Sequence, residues 1–150
     1  MKISDKPEVK SYVEIMIIDK KTGKVKWYRR SSNLFTKYGA TLMVNAYDQK
    51  ETYGLVKYVN VYDGSKNFVA SGSSTNWERY DTGERIGTML TVDVGTDKSF
   101  NFRYLGLSYQ EGIAYEDNLN CYDIGEEKTK DVGEILRVVW HIEVSYQTPP

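Results

Sequence analysis

The chain of 150 residues holds one histidine, one cysteine and three prolines. A single thiol, Cys121, excludes an intramolecular disulfide and a zinc site built from cysteines. It stands in DNLNCYDIG, where the neighbours Asp117 and Asp123 raise its pKa and discourage a thiolate. Cys121 therefore reads as an inert or half-buried thiol. A single imidazole, His141, is too little for most metal sites, and a nucleophilic triad needs His beside Ser, Cys or carboxylates. His141 reads as an ordinary surface or partly buried residue of a strand. Basic excess is also missing: 20 Lys and Arg stand against 21 Asp and Glu, for a net charge of −1. That balance argues against a general nucleic-acid binder. The longest uninterrupted apolar run is Ile15 to Ile18, so no membrane insertion is expected. The opening MKISDKPEVK has no apolar run, and no signal peptide is expected. No Walker loop, GxGxxG or HExxH occurs, and neither does an internal repeat. No catalytic residue, metal ligand or cofactor is therefore assigned.

Tyrosine is abundant. There are 13 Tyr against 4 Phe, with 3 Trp besides. Tyr suits strands and surfaces where one end of the ring is dry and the other wet, so the excess points to extensive sheet. A general Tyr bias of the proteome explains it equally well. Hydrophobic residues make up 40% and charged residues 27%, which fits one globular domain with a real core.

The clearest pattern is EILRVVWHIEVSY, Glu134 to Tyr146. Leu136, Val138, Trp140, Ile142, Val144 and Tyr146 fall on one side. Ile135, Arg137, Val139, His141, Glu143 and Ser145 fall on the other. Side chains alternate across a strand, so this is a long strand with an apolar wall and a mostly polar face. Val9–Asp19 and Lys24–Arg30 form a hairpin around Gly23. Ser31, Ser32 and Asn33 suit a helix N-cap, and an i, i+4 row then predicts a helix over Leu34–Tyr47. Strands are predicted at 53–62, 86–94 and 98–109, the last changing faces near Gly106. Two long loops, 71–85 and 110–133, remain; loops of that length are usually functional or disordered. The division is a loose arm at 1–8, one domain at 9–146 and a tail at 147–150. The fold expected is mainly β: an antiparallel β-sandwich, jelly-roll-like, with one short helix.

The loops carry the candidate contact residues. Trp77, Tyr80, Tyr109 and Tyr115 are aromatic side chains of the kind that stack on sugars or bury into a partner protein. Glu116, Asp117, Asp123, Glu126 and Glu127 match no calcium loop in spacing and read as a solvated acidic stretch.

The order of elements resembles small β-sandwich modules of virion proteins from tailed phages and archaeal viruses. The segments that carry the resemblance are SSNLFTKYGATLMVNAY after the first hairpin, VKYVNVYDGS, ERIGTMLTVDV, FNFRYLGLSYQEG and EILRVVWHIEVSYQ. The resemblance implies a non-enzymatic part of a virion: a capsid decoration, turret, tail or fibre component that forms a trimer or ring. Its partners would be itself and other virion proteins, without nucleic acid. The alternative is a carbohydrate-binding module whose loop aromatics stack on a glycan.

Overall fold

The last strand lies at the middle of a sheet, paired on both sides along almost its whole length. In the computed structural model residues 8–149 are described. The elements are β1 (Val9–Asp19), β2 (Val25–Ser32), β3 (Leu34–Phe35), α1 (Lys37–Asp48), β4 (Tyr58–Tyr62), β5 (Phe68–Ser73), β6 (Trp77–Asp81), β7 (Arg85–Val94), β8 (Phe100–Ser108), β9 (Asn120–Lys130) and β10 (Glu134–Ser145). They form two five-stranded sheets, ordered β2-β1-β10-β7-β6 and β3-β9-β8-β4-β5. Every pairing is antiparallel. The result is a mainly β sandwich with one α-helix. The jelly-roll refinement does not follow from this strand order, in which β1–β2, β4–β5, β6–β7 and β8–β9 are all sequential hairpins.

The alternation of β10 decides what the sandwich encloses. Leu136, Val138 and Trp140 are fully buried, as are Val13 and Ile15 of β1 and Leu90 of β7. From the second sheet Val59, Val61, Phe102, Leu105 and Leu107 complete the core. Packing two apolar faces together is the main stabilising contribution, at about 25 cal/mol per Å² of apolar surface removed from water.

Several expected boundaries move. The helix starts at Lys37, capped by the Thr36 side chain, which accepts from Gly39 N–H at 3.2 Å. Leu34 and Phe35 pair instead with Cys121 and Asn120. Gly39 is the one buried residue of α1, and a Cβ there would strike the Leu119 carbonyl, so its small size sets the close approach of helix to sheet. The loop expected at 71–85 is mostly strand, since β6 pairs along β7. The loop expected at 110–133 is strand over Asn120–Lys130. The face change in β8 comes three residues before Gly106: the register against β9 shifts between Phe102 and Tyr104. Gly106 has another task, leaving room for the Asn118 carboxamide that lies over it.

The remaining part of the second loop is tied down. Asn118 is fully buried; its amide donates to Tyr62 Oη at 2.9 Å and to the Tyr115 carbonyl at 2.8 Å, while its oxygen accepts from Asn60 Nδ2 at 3.0 Å. Tyr62 Oη in turn donates to the Ile113 carbonyl at 2.6 Å. These bonds hold 110–119 against the outer face of the second sheet. The arm expected at 1–8 lies outside the described residues except for Glu8, whose N–H donates to Ser145 Oγ at 2.6 Å.

Candidate functional site

The outer face of the first sheet carries the densest polar chemistry of the described residues. In an antiparallel ladder, residues opposite one another share a face. Tyr12 lies opposite His141, and Lys10 opposite Glu143. Glu14 and Arg30 are also opposite each other, as are Tyr12 and Ser32. Polar residues at even positions of β1 thus meet polar residues at odd positions of β10.

His141 stands at the centre and is only 6% exposed. Its ring stacks on Tyr12 with centroids 4.1 Å apart and planes 11° from parallel. Arg30 lies over Tyr12, its guanidinium carbon 4.4 Å from that ring's centroid. His141 Nε2 is 2.7 Å from Glu14 Oε1, and Nδ1 is 3.1 Å from Tyr80 Oη. Tyr80 donates to Glu143 Oε2 at 2.5 Å, and Tyr28 donates to Glu14 Oε2 at 2.7 Å. Tyr80 belongs to β6, yet it reaches β10 across β7. Gly87 makes this possible: it stands between the two strands, and a Cβ there would collide with the Tyr80 ring.

These contacts fix the charge states of the carboxylates. Burial pushes Glu14 up, but the hydrogen bonds from Tyr28 and His141 and the nearby Arg30 outweigh it and hold Glu14 below its ordinary 4.5. Burial likewise raises Glu143, and the Tyr80 hydroxyl with the Arg85 charge brings it below the ordinary value. Burial, followed by the bond to Glu143, pushes Tyr80 far above the usual phenol range, so it remains a donor. A group whose folded pKa is depressed stabilises the fold above its unfolded pKa and loses that contribution as pH falls through the folded value. Stability should therefore decline below about pH 4.5, the ordinary Glu value. Melting temperature followed against pH should fall less steeply in that acid range for the double variant E14Q/E143Q than for the wild type. Parallel curves would show that these carboxylates do not carry the acid sensitivity.

As chemistry, the arrangement is a closed set of bonds. Both His141 nitrogens have partners, and no Ser or Cys side chain lies among them. Cys121 is elsewhere, in β9, where burial pushes its thiol up to about 11. Burial is the main cause, and the nearby acid that adds to it is Glu116; the sequence neighbours Asp117 and Asp123 are not responsible. The acidic residues expected as one stretch are dispersed. Asp123 binds Arg103 in two places, at 2.9 and 3.1 Å. Glu126 pairs with Arg29 and Lys128, Glu127 accepts from Gly64 N–H, and Glu116 pairs with Lys66.

The four aromatic candidates are not brought together. Tyr80 belongs to the outer face just described. Trp77 is on the inner face, its Nε1 donating to the Val56 carbonyl at 2.7 Å, beside a cavity of about 70 Å³ under α1. Tyr109 packs edge-on against Tyr53, with centroids 5.5 Å apart. Tyr115 packs on Tyr62 and Tyr104 outside the second sheet, with centroids 5.5 and 5.0 Å away. They supply no single platform. The residues that sequence reasoning missed are Tyr12, Glu14, Arg30, Arg85 and Glu143. The period-2 placement of Tyr12 and Glu14 in β1 and of Glu143 in β10 was visible, but the register that joins them and brings Arg30 of β2 and Arg85 of β7 beside them was not.

A second feature concerns the inner face at one end of the first sheet. Val9 lies opposite Val144, and Val144 opposite Ile86. The parity that buries Val13, Trp140 and Leu90 puts this row on the core side as well. Yet Val9 is 45%, Val144 38% and Ile86 47% exposed, so the second sheet does not cover this end. On α1, Val44 is 62% and Tyr47 94% exposed, where a surface helix ordinarily carries charge.

The sequence matches no protein-family model, and no curated protein or solved structure matches it.

Proposed function

We propose that this protein is a non-enzymatic assembly module that acts through protein–protein contacts, first of all with further copies of itself. The observation that carries the reading is the apolar row Val9–Val144–Ile86, which continues the core face of the first sheet past the cover of the second. An exposed cross-strand row of aliphatic side chains is the start of a buried layer without its other half. Copies that bring this row together about a common rotation axis would bury it, and a rotation that closes builds a trimer or ring. The setting we propose is a viral capsid or tail, with the copies in a trimer or ring. Its support is the order of elements that resembles virion β-sandwich modules.

The test is the double variant I86E/V144E. Charges placed in that row should reduce the wild-type assembly to single chains by light scattering, with the sheet signal in circular dichroism retained. An assembly of unchanged mass would remove the row from the interface.

No helix among the described residues is long and apolar enough to cross a membrane.

A further inference from the structure

On the outer face of the first sheet, beside the His141 network, is an open basin of about 380 Å³ lined by Lys10, Tyr12, Arg30, Ser31, Ser32, Arg85 and Glu143. It holds three cations and one carboxylate. We propose that this basin binds an oxyanion, a carboxylate or phosphate group carried on a small polar molecule such as an acidic sugar.

Three features of the basin support this. First, its arginines have donors to spare. Arg30 has no acidic partner at ion-pair distance among the described residues; it is positioned by stacking on Tyr12 instead. Stacking fixes the guanidinium plane without using its N–H groups, and five donors in a rigid fork suit a two-oxygen acceptor. Arg85 meets Glu143 by a single long contact, Nη1 to Oε1 at 3.5 Å.

Second, the one carboxylate present is already engaged. Glu143 Oε2 accepts from Tyr80 at 2.5 Å and from Tyr12 at 3.4 Å. Its side chain is 7% exposed, against 34% for Arg85 and 48% for Lys10. Lys10 is paired with Glu8 at 3.5 Å, so the accessible positive charge of the basin is that of Arg30 and Arg85.

Third, the floor is rigid. Tyr12 is clasped between Arg30 and His141, and His141 is fixed at both nitrogens. Fixed donors in a partly dry concavity reduce the ordering cost of binding a small anion. Ser32, opposite Tyr12 in the ladder, adds a hydroxyl at the rim for the neutral part of such a ligand.

The test is an NMR titration of the full chain with sodium phosphate, sodium glucuronate and, as the neutral counterpart, glucose, all at constant ionic strength. Saturable shifts at Arg30, Arg85 and Ser32 with at least one of the two anions, and none with glucose, would support the site. Comparison of the two anions identifies which carrier is preferred. R30Q and R85Q, each checked for an unchanged melting temperature, should weaken binding about tenfold, since a charge-assisted hydrogen bond is lost. R103Q, on the other sheet, should leave it unaltered. Shifts that fail to saturate, that glucose reproduces, or that persist equally in R30Q and R85Q would overturn the proposal. The titration reads the basin whatever the mass of the particle, so its outcome is separate from the assembly reading.

Discussion

Replacing Trp140 by Ala should cost about 3–5 kcal/mol of stability, the range for deleting a large buried aromatic side chain. Trp140 is fully buried at the centre of β10, between β1 and β7. Two losses add. The core loses its largest buried side chain and retains a cavity, because the flanking strands are held by their own ladders and collapse little. A polar knot is also opened. Ser11 Oγ donates to Asn33 Oδ1 at 2.8 Å and accepts from Asn120 Nδ2 and Trp140 Nε1, both at 3.0 Å. A hydroxyl has one proton to give and two lone pairs to offer, so this one is fully used. The knot joins β1 and β10 of one sheet to β9 of the other, with Asn33 at the link between them. W140F separates the terms: it retains most of the ring volume but loses the indole donor, so it should cost about 1–2 kcal/mol. Urea denaturation measures both. A loss for W140A no larger than for W140F would mean that packing at this position contributes little.

The second large effect is expected from Lys130→Met. A lysine with no exposed surface is rare, because burying an ammonium is costly unless its protons are bonded. Lys130 Nζ donates to the carbonyls of Gly95 at 2.7 Å, Thr96 at 3.2 Å and Lys98 at 2.7 Å. These carbonyls form the corner where the chain leaves β7 for β8 and changes sheets. The ammonium bonds three backbone acceptors, of which the Gly95 carbonyl also accepts from Lys98 N–H at 3.0 Å, and burial pushes its pKa down. Met matches the length and removes every donor. The expected loss is about 3 kcal/mol, from the Thr96 and Lys98 carbonyls left without the ammonium beside the core. For a chain of this size that lowers the melting temperature by roughly 10 °C. Thermal melts of wild type and K130M check it. A shift within about 2 °C would show that water replaces the ammonium at little cost.

How far the sequence reveals these features differs from strand to strand. β10 and β1 are legible because strict alternation survives where one face is buried and the other is wet. β6 and β9 are not. WERYD is an edge strand with little apolar content, and NCYDIGEEKTK is exposed over much of its length. Their formation depends on pairing with a neighbouring strand, β6 with β7 and β9 with β8, and no local period reports that. The helix is visible from its i, i+4 row, but its start is decided by Thr36 and by the pairing of Leu34 and Phe35 with β9.

The site divides in the same way. That His141 and Glu143 share a polar face follows from alternation alone. That Glu14, Tyr12 and Arg30 join them depends on register, which only the assembled sheet sets. That Tyr80 reaches them depends on Gly87, whose position inside a strand was the one local sign of a close approach. The exposed row at Val9, Val144 and Ile86 was legible only as more apolar wall. Its lack of cover is a property of where the second sheet ends.

The most direct measurement of the assembly claim is the mass of the purified wild-type chain by light scattering or sedimentation, from dilute to concentrated solution. The expected result is a particle whose mass is a multiple of 17.3 kDa. A mass of 17.3 kDa at every concentration would contradict the claim that this protein works by joining copies of itself.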